Sequence, residues 1–403
     1  MHGGREVFLC TALRTPFGRY GGALSSIRTD DLAALPIRAL IERHAQLDWA
    51  AVDEVILGCA NQSGEDNRNV ARMAVLLAGL PVSVPAVTVN RLCASGLEAI
   101  GQAARAIALD DIDLAIAGGV ESMSRAPYVM AKATAALGRE QKLEDTTLGW
   151  RLINPRMPHL HGVDTMAQTA ENLAREHDIS RADQDAFALR SQQRALRARD
   201  AGEFADEIVP VPVTADMQAP VIGADEGIRQ DTTAAKLAAL KPLLGADTTI
   251  TAGNASGIND GACAVLLASG PAVARHALTP IARIGGVASA GVEPRTMGIG
   301  PVPAIRKLLA RIGWSLADCD RVEINEAFAA QVLACTRALG LTDDAAHVNA
   351  NGGAIALGHP LGASGARLAM TAAYALQRHG QKRALVSLCV GVGQGLALAL
   401  ESA

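Results

Sequence analysis

Hydrophobic residues fall along this chain in two alternating textures. Short apolar runs rich in β-branched residues (Val52 to Leu57, Val84 to Val89, Leu114 to Ala117, Ala262 to Leu267, Arg321 to Ile324 and Ala384 to Cys389) are separated by stretches with apolar residues at helical spacing, and glycines stand at the switches. The runs predict strands and the periodic stretches predict helices, so the chain reads as a layered α/β fold. Ala86-Val-Thr-Val89 gives way to Leu97, Ile100, Ala104 and Ile107 on one helical face, with Cys93 at the junction.

The pattern also repeats. Leu35-Pro-Ile-Arg-Ala-Leu-Ile41 followed by Trp49-Ala-Ala-Val-Asp-Glu-Val-Ile56 has a counterpart in Val302-Pro-Ala-Ile-Arg-Lys-Leu-Leu309 followed by Trp314 to Ile324. Each copy then reaches a Val-Asn before a Gly- and Ser-containing helix start: Val89-Asn90 before Cys93-Ala-Ser-Gly96, and Val348-Asn349 before Gly362-Ala-Ser-Gly365. Two related halves are predicted. Residues 1–121 with 252–275 form the first, 276–403 the second, and 122–251 an insertion that holds most of the clustered charge. Within the insertion a long helix is expected to start at Ser180, with Asp183 completing a capping pair, and a Pro-rich irregular stretch spans Val209 to Val213. The arginines of that helix, Arg190, Arg194, Arg197 and Arg199, are expected on a solvated face.

Composition narrows the function. A net charge of −4 and 3% aromatic residues supply neither the basic field nor the stacking surface of a nucleic-acid binder, and no basic field for an anionic membrane. The seven cysteines are scattered without a C-x-x-C pair, which suggests neither a disulfide framework nor a zinc site and fits the cytoplasm. The N-terminal apolar run is too short for a signal-peptide core, and no run is long enough to span a bilayer.

At a strand-to-helix junction, unpaired N–H groups are expected to lower the pKa of Cys93 and make it a nucleophile; a small buried hydrophobe is the alternative. Three Gly-containing segments accompany it. Asn325-Glu-Ala-Phe-Ala-Ala-Gln331 follows a strand, and Asn325 is either functional or an N-cap. His359 sits before Pro360 in a loop dense in glycine, and Ser387-Leu-Cys389-Val-Gly391-Val-Gly393-Gln-Gly395 predicts a hairpin carrying an exposed Cys389. If the halves are related by a pseudo-two-fold, the helix starts near Cys93 and Gly362 face each other and His359 approaches Cys93. Two thiols and an imidazole in one place suit acyl transfer through a thioester, with oxyanion stabilisation from backbone N–H groups; unconnected turns and core residues are the alternative.

Asn90-Arg-Leu-Cys-Ala-Ser-Gly96, Ala117-Gly-Gly-Val-Glu-Ser-Met-Ser124, Thr251 to Ala262, Asn325-Glu-Ala-Phe328, Gly358-His-Pro360 and Cys389-Val-Gly391 closely resemble the thiolases, in that family's order and over essentially the whole chain. The resemblance implies a five-layer αβαβα fold of two duplicated halves with an inserted loop domain, assembled as a homodimer or homotetramer. It also implies acyl-CoA substrates, coenzyme A as co-substrate, no permanently bound cofactor and no metal. By motif, Cys93 resembles the acyl-accepting nucleophile, His359 its base, Cys389 the second catalytic thiol and Asn325 the residue orienting an oxyanion-hole water. The N–H groups of Cys93 and Gly391 resemble a second oxyanion hole. Ser256 is similar to a serine near the pantetheine and Arg229 to an arginine near the adenine nucleotide. Thr165-Met166-Ala167 stands where short-chain biosynthetic members have His-Met-Gly, so the acyl end around Met166 is expected to differ.

Gly64 to Met73, Leu143 to Trp150, Ile153-Asn-Pro155 and Gly162-Val-Asp164 look most like the 3-oxoadipyl-CoA thiolases of aromatic catabolism. Their acyl chain ends in a carboxylate, for which Arg68, Arg156, His159 and His161 are the candidate counter-charges. An acetoacetyl-CoA or general 3-oxoacyl-CoA thiolase is the rival within the class. A non-catalytic acyl-CoA or lipid carrier would be expected to lack one of the catalytic residues, and a hydrolase would show a Gly-x-Ser-x-Gly elbow, which is absent.

Overall fold

The computed structural model describes residues 4–212 and 221–403. Nine strands, β1 (Val7–Arg14), β2 (Glu54–Gly58), β3 (Ala86–Val89), β4 (Leu114–Ser122), β5 (Asn259–Ser269), β6 (Ala282–Gly291), β7 (Arg321–Ile324), β8 (Arg383–Val390) and β9 (Gln394–Ser402), lie in the order β7-β8-β9-β6-β1-β5-β4-β2-β3. The main helices are α1 (Thr29–Arg43), α2 (Val70–Ala78), α3 (Ser95–Ala108), α4 (Met166–Glu176), α5 (Arg181–Asp200), α6 (Pro301–Ile312), α7 (Ala329–Ala338) and α8 (Leu361–His379).

The repeat is a repeat of topology. In the first half β1 runs antiparallel to β5 and β5 to β4, while β4 is parallel to β2 and β2 to β3. In the second, β6 runs antiparallel to β9 and β9 to β8, β8 is parallel to β7, and a parallel bridge joins Val322 to Val348, where β3 would stand. Among the described residues the halves pair edge to edge at Phe8↔Arg283 and Leu9↔Ala282. Helices α1 and α2 cover the outer face of the first sheet half and α6 that of the second, with α7 beside it, while α3 and α8 are sandwiched between the two halves. Each apolar seam is a separate core, which gives five αβαβα layers.

Strands β1 and β6 were not anticipated by the apolar pattern. Both lie inside the sheet, and β1 ends in a fully buried Arg14 that breaks its apolar run. That arginine ties the insertion to the core: Nη1 and Nη2 donate to Asp225 at 2.6 and 3.0 Å and Nε donates to Glu207 at 2.9 Å. The expected capping pair at Ser180 and Asp183 forms, and α5 follows it for 20 residues. The solvated face expected for its four arginines holds only for Arg197 and Arg199, which are exposed. Arg190 donates to the Asp343 carbonyl, and Arg194 to those of Asp344, Ala345 and Val348, because the irregular segment before Asn349 leaves carbonyls without ladder partners. Val213, the end of the Pro-rich stretch, lies outside the described residues.

Between α3 and α8 the backbones nearly touch. A Cβ on Gly119 would lie 2.0 Å from the Gly362 carbonyl oxygen, and one on Gly96 2.5 Å from the same atom. Neither opposing atom is a flexible side chain that can yield. Gly119→Val is therefore expected to destabilise the protein by about 3 kcal/mol or more through overpacking, read as a lowered urea midpoint, whereas Gly223→Ala, in open space, leaves the midpoint unchanged.

Candidate active site

Cys93 lies in the single 3-10 turn Leu92–Ala94 that leads into α3. Leu92 holds the left-handed φ of 45° there, a strained conformation for a branched side chain. Its neighbours over-determine it. The Leu92 N–H donates to Asn90 Oδ1 at 2.8 Å, Ser95 Oγ accepts from the Arg91 N–H at 2.9 Å and donates to the Leu92 carbonyl at 2.6 Å, and Arg91 is clamped by Glu98 and Gln394. Cys93 as a whole is 9% exposed. Burial pushes its pKa up to about 11, although the Gly391 N–H donates to it and opposes the shift, with Glu121 adding to the rise. The lowered pKa expected from the helix start is thus reversed: desolvation of the thiolate outweighs the helix-end field.

Cys389 is the second correction. The hairpin forms between β8 and β9, but Cys389 is fully buried against Met297 and Ala327, beside Met166 and Phe328, where burial holds its thiol well above the usual range. It is near enough to Cys93 for each charge to disfavour the other. Asn325 is not an N-cap, since α7 begins at Ala329 with Phe328 in the cap position. Instead Asn325 is the first residue after β7, its N–H on the Ser387 carbonyl and its side-chain nitrogen 3.4 Å from both ring nitrogens of His359. Its buried Oδ1 has no hydrogen-bond partner among the described residues.

His359 is held from two sides. Its N–H donates to Asn259 Oδ1 at 2.9 Å, and its Nδ1 lies 2.6 Å from Ser364 Oγ, which is itself 2.8 Å from the Pro360 carbonyl. A carbonyl can only accept, so the one serine proton goes to Pro360 and Nδ1 must carry the ring hydrogen. Nε2 keeps its lone pair. Burial, and then the positive charge of Arg367, push the imidazole pKa down to about 3, so the ring is neutral at neutral pH.

Two cavities flank this cluster. One, about 390 Å³, is lined by Cys93, Gly391, Glu121, Met123, Met166 and the loop from Thr146 to Arg151. The other, about 430 Å³, is lined by Arg19, Arg229, Lys236, and the backbone around Ala255 and Gly257 that carries Ser256, and it reaches Gly358 next to His359. Met166 therefore sits with Cys93, apart from Arg229. Arg68, Arg156, His159 and His161 line neither cavity and are exposed. Glu121, in the motif Ala117-Gly-Gly-Val-Glu-Ser-Met-Ser124, adds a carboxyl to the wall beside Cys93. Its carboxylate accepts from the N–H groups of Ala60, Asn61 and Gly362 at about 3 Å each, bridging the halves. Burial raises its pKa to about 7. Cys59 and Asp66 lie close enough to Glu121 to suggest a metal trio, but the three N–H donors occupy the Glu121 oxygens. A carboxyl inside an otherwise apolar, glycine-containing strand is the signal that marks it in the sequence.

Two unpaired thiols close to one another, on a turn packed by the helix that follows a neutral imidazole, suit the passing of an acyl group between sulfurs, so the class is that of thioester acyltransferases. Residues 7–270 match the Thiolase, N-terminal domain family and residues 278–402 the Thiolase, C-terminal domain family. The chain belongs to the thiolase family. It is 64% identical to the beta-ketoadipyl-CoA thiolase of Pseudomonas aeruginosa over 98% of this chain and 99% of that one. It is 59% identical, at the same coverage, to the 3-oxoadipyl-CoA/3-oxo-5,6-dehydrosuberyl-CoA thiolase of Escherichia coli. Among solved structures it superposes on the acetyl-CoA acetyltransferase of Bacillus anthracis with a TM-score of 0.92 at 41% identity, covering 100% of both chains. On human mitochondrial 3-ketoacyl-CoA thiolase in complex with CoA the TM-score is 0.91 at 44% identity, covering 99% of this chain and 98% of that one.

Ser364→Ala removes the acceptor that fixes the His359 tautomer and is expected to lower kcat by about 10- to 100-fold with KM little changed, measured by steady-state kinetics. His359 also sets a pH dependence. It titrates near 6.5 when unfolded and near 3 when folded, so the unfolded chain binds the extra proton between those values and stability falls as the pH drops through that window. His359→Gln is expected to flatten that part of a curve of denaturation midpoint against pH by up to about one proton.

Proposed function

We propose that this protein cleaves 3-oxoadipyl-CoA with coenzyme A, giving succinyl-CoA and acetyl-CoA through an acyl group carried on Cys93. The observation that carries the reading is that Cys93 lies beside the Gly391 N–H and close to Cys389, on a turn against which the helix that follows the neutral His359 packs. His359 Nε2 takes the Cys93 proton and the sulfur attacks the 3-oxo carbon. The bond between C2 and C3 then breaks, its electron pair passes to C2, and the Cys389 thiol protonates that carbanion to release acetyl-CoA. Coenzyme A next gives its thiol proton to Cys389 and attacks the acyl-Cys93 carbonyl, and the departing Cys93 sulfur recovers its proton from His359. The N–H groups of Cys93 and Gly391 face one oxyanion, and a water oriented by Asn325 faces the other, a role supported by the unpartnered Asn325 Oδ1.

Arg19, Arg229 and Lys236 give the second cavity the cations that a nucleotide with three phosphates requires, and Ser256 beside it suits the pantetheine. Met166 belongs with the acyl chain. The names of the relatives support the dicarboxylic substrate. We read the halves and insertion at the boundaries predicted from the sequence. The seven unpaired cysteines fit the cytoplasm. The exposed Met73, Leu76, Leu77 and Val82 of α2 and its following loop, next to Val87 on the edge strand β3, fit a homodimer or homotetramer.

Comparing kcat/KM on 3-oxoadipyl-CoA, acetoacetyl-CoA and a medium-chain 3-oxoacyl-CoA tests the substrate, with 3-oxoadipyl-CoA expected to lead by about 10-fold or more. A lead for acetoacetyl-CoA overturns it. Mass spectrometry tests the roles: Cys93→Ala is expected to take no acyl group from succinyl-CoA, whereas Cys389→Ala is acylated yet neither cleaves nor condenses. Retained condensation in Cys389→Ala overturns its role.

A further inference from the structure

The cavity that holds Cys93 has one basic side chain in its wall, Arg151. Among the described residues nothing accepts a hydrogen bond from this guanidinium, and no carboxylate lies within ion-pair distance, so its charge and its donors are uncommitted. The remaining polar groups of the wall are occupied. Asn61 bonds Thr146 and the Ser63 N–H, Asn90 bonds Ala60 and Leu92, and Glu121 is covered by three backbone N–H groups. A ligand group entering this space and seeking donors finds Arg151.

The loop that presents Arg151 is pinned on both sides of it. Trp150 Nε1 donates to the Asp164 carbonyl at 3.2 Å, and the Leu152 N–H donates to Glu144 Oε2 at 2.5 Å. Gly149 turns the chain with φ 87° immediately before. The half-buried arginine is therefore carried on fixed backbone, while Leu148, Met123 and Met166 give the space between it and Cys93 an apolar lining.

The geometry points to Arg151 as the residue that binds the distal carboxylate of the acyl chain, an inference that rests on the dicarboxylic substrate proposed above. In a succinyl group on Cys93, three carbon–carbon bonds of about 1.5 Å each separate the thioester carbonyl from the carboxylate, a span that fits within the shared cavity. Guanidinium meets carboxylate through two parallel N–H···O bonds, which fixes direction as well as charge. An acyl chain ending in methyl would leave that guanidinium unpaired against an apolar wall, so the same residue that accepts the diacid disfavours the plain fatty chain.

The test compares 3-oxoadipyl-CoA with 3-oxohexanoyl-CoA, which has the same six carbons and no carboxylate. Wild type is expected to prefer the first. Arg151→Gln is expected to lose about 100-fold in kcat/KM on 3-oxoadipyl-CoA, mostly through KM, and to change less than about threefold on 3-oxohexanoyl-CoA, which also reports that the variant is folded. Arg151→Lys keeps the charge without the fork and is expected to fall between. Equal losses on both substrates would make Arg151 a support for its loop and overturn the inference, as would an unchanged preference for the diacid in Arg151→Gln. A wild-type enzyme that treats the two substrates alike overturns the substrate reading itself, and the specificity role with it.

Discussion

Where Gly119 of β4 and Gly96 of α3 press against the Gly362 carbonyl of α8, a strand and two buried helices come as close as peptide groups allow. Everything at the site is measured from that contact. It puts the start of α3, with Cys93 in the turn just ahead of it, against the first turn of α8, with His359 just ahead of that, and it lets the Gly362 N–H reach Glu121 on β4. Larger side chains at the crossing would spread the halves and separate sulfur from imidazole. Close packing of this kind transmits strain, which is why a glycine here acts on chemistry several residues away.

The electrostatics follow from the same enclosure. With the thiol of Cys93 pushed up to about 11 and the imidazole of His359 down to about 3, the proton rests on sulfur and the pair is neutral. A thiolate–imidazolium pair would have to be desolvated in a closed site, and the enclosure disfavours it. The N–H groups of Cys93 and Gly391 already point at the sulfur, so in the proposed reaction they are preorganised for the negative charge that arises. Glu121, held near 7 by its burial, keeps a further negative charge partly suppressed beside the thiol.

Much of this was legible in the residues. The repeat from Leu35 and from Val302 foretold the shared topology, and the glycines around Cys93, His359 and Gly391 marked where backbone approaches backbone. What the chain hid lay in burial. β1 and β6 escaped the apolar pattern because polar residues and glycines interrupt it: Thr11 and Arg14 in β1, and Arg283, Gly285, Gly286 and Ser289 in β6. Cys389 was placed outside because its flanking glycines suggest a turn, and the pKa of Cys93 was misjudged because a helix end is visible in sequence and a desolvated pocket is not. Arg151 went unnoticed for a related reason. Its place in the wall depends on a loop pinned by Glu144 and Asp164, contacts that local spacing does not encode.

The shared topology of the halves carries one more consequence. In an assembly of two identical subunits every substitution appears twice, so a thiol gained at one helix start is gained at its mate, and an acid and its base cannot be sorted to opposite sides of the axis. Joining the copies in one chain lifts that restriction: the first helix start took the sulfur, the second took the imidazole, and one strand position took a carboxylate that grips the other copy's backbone. The covalent link thus made an asymmetric centre heritable within a symmetric frame.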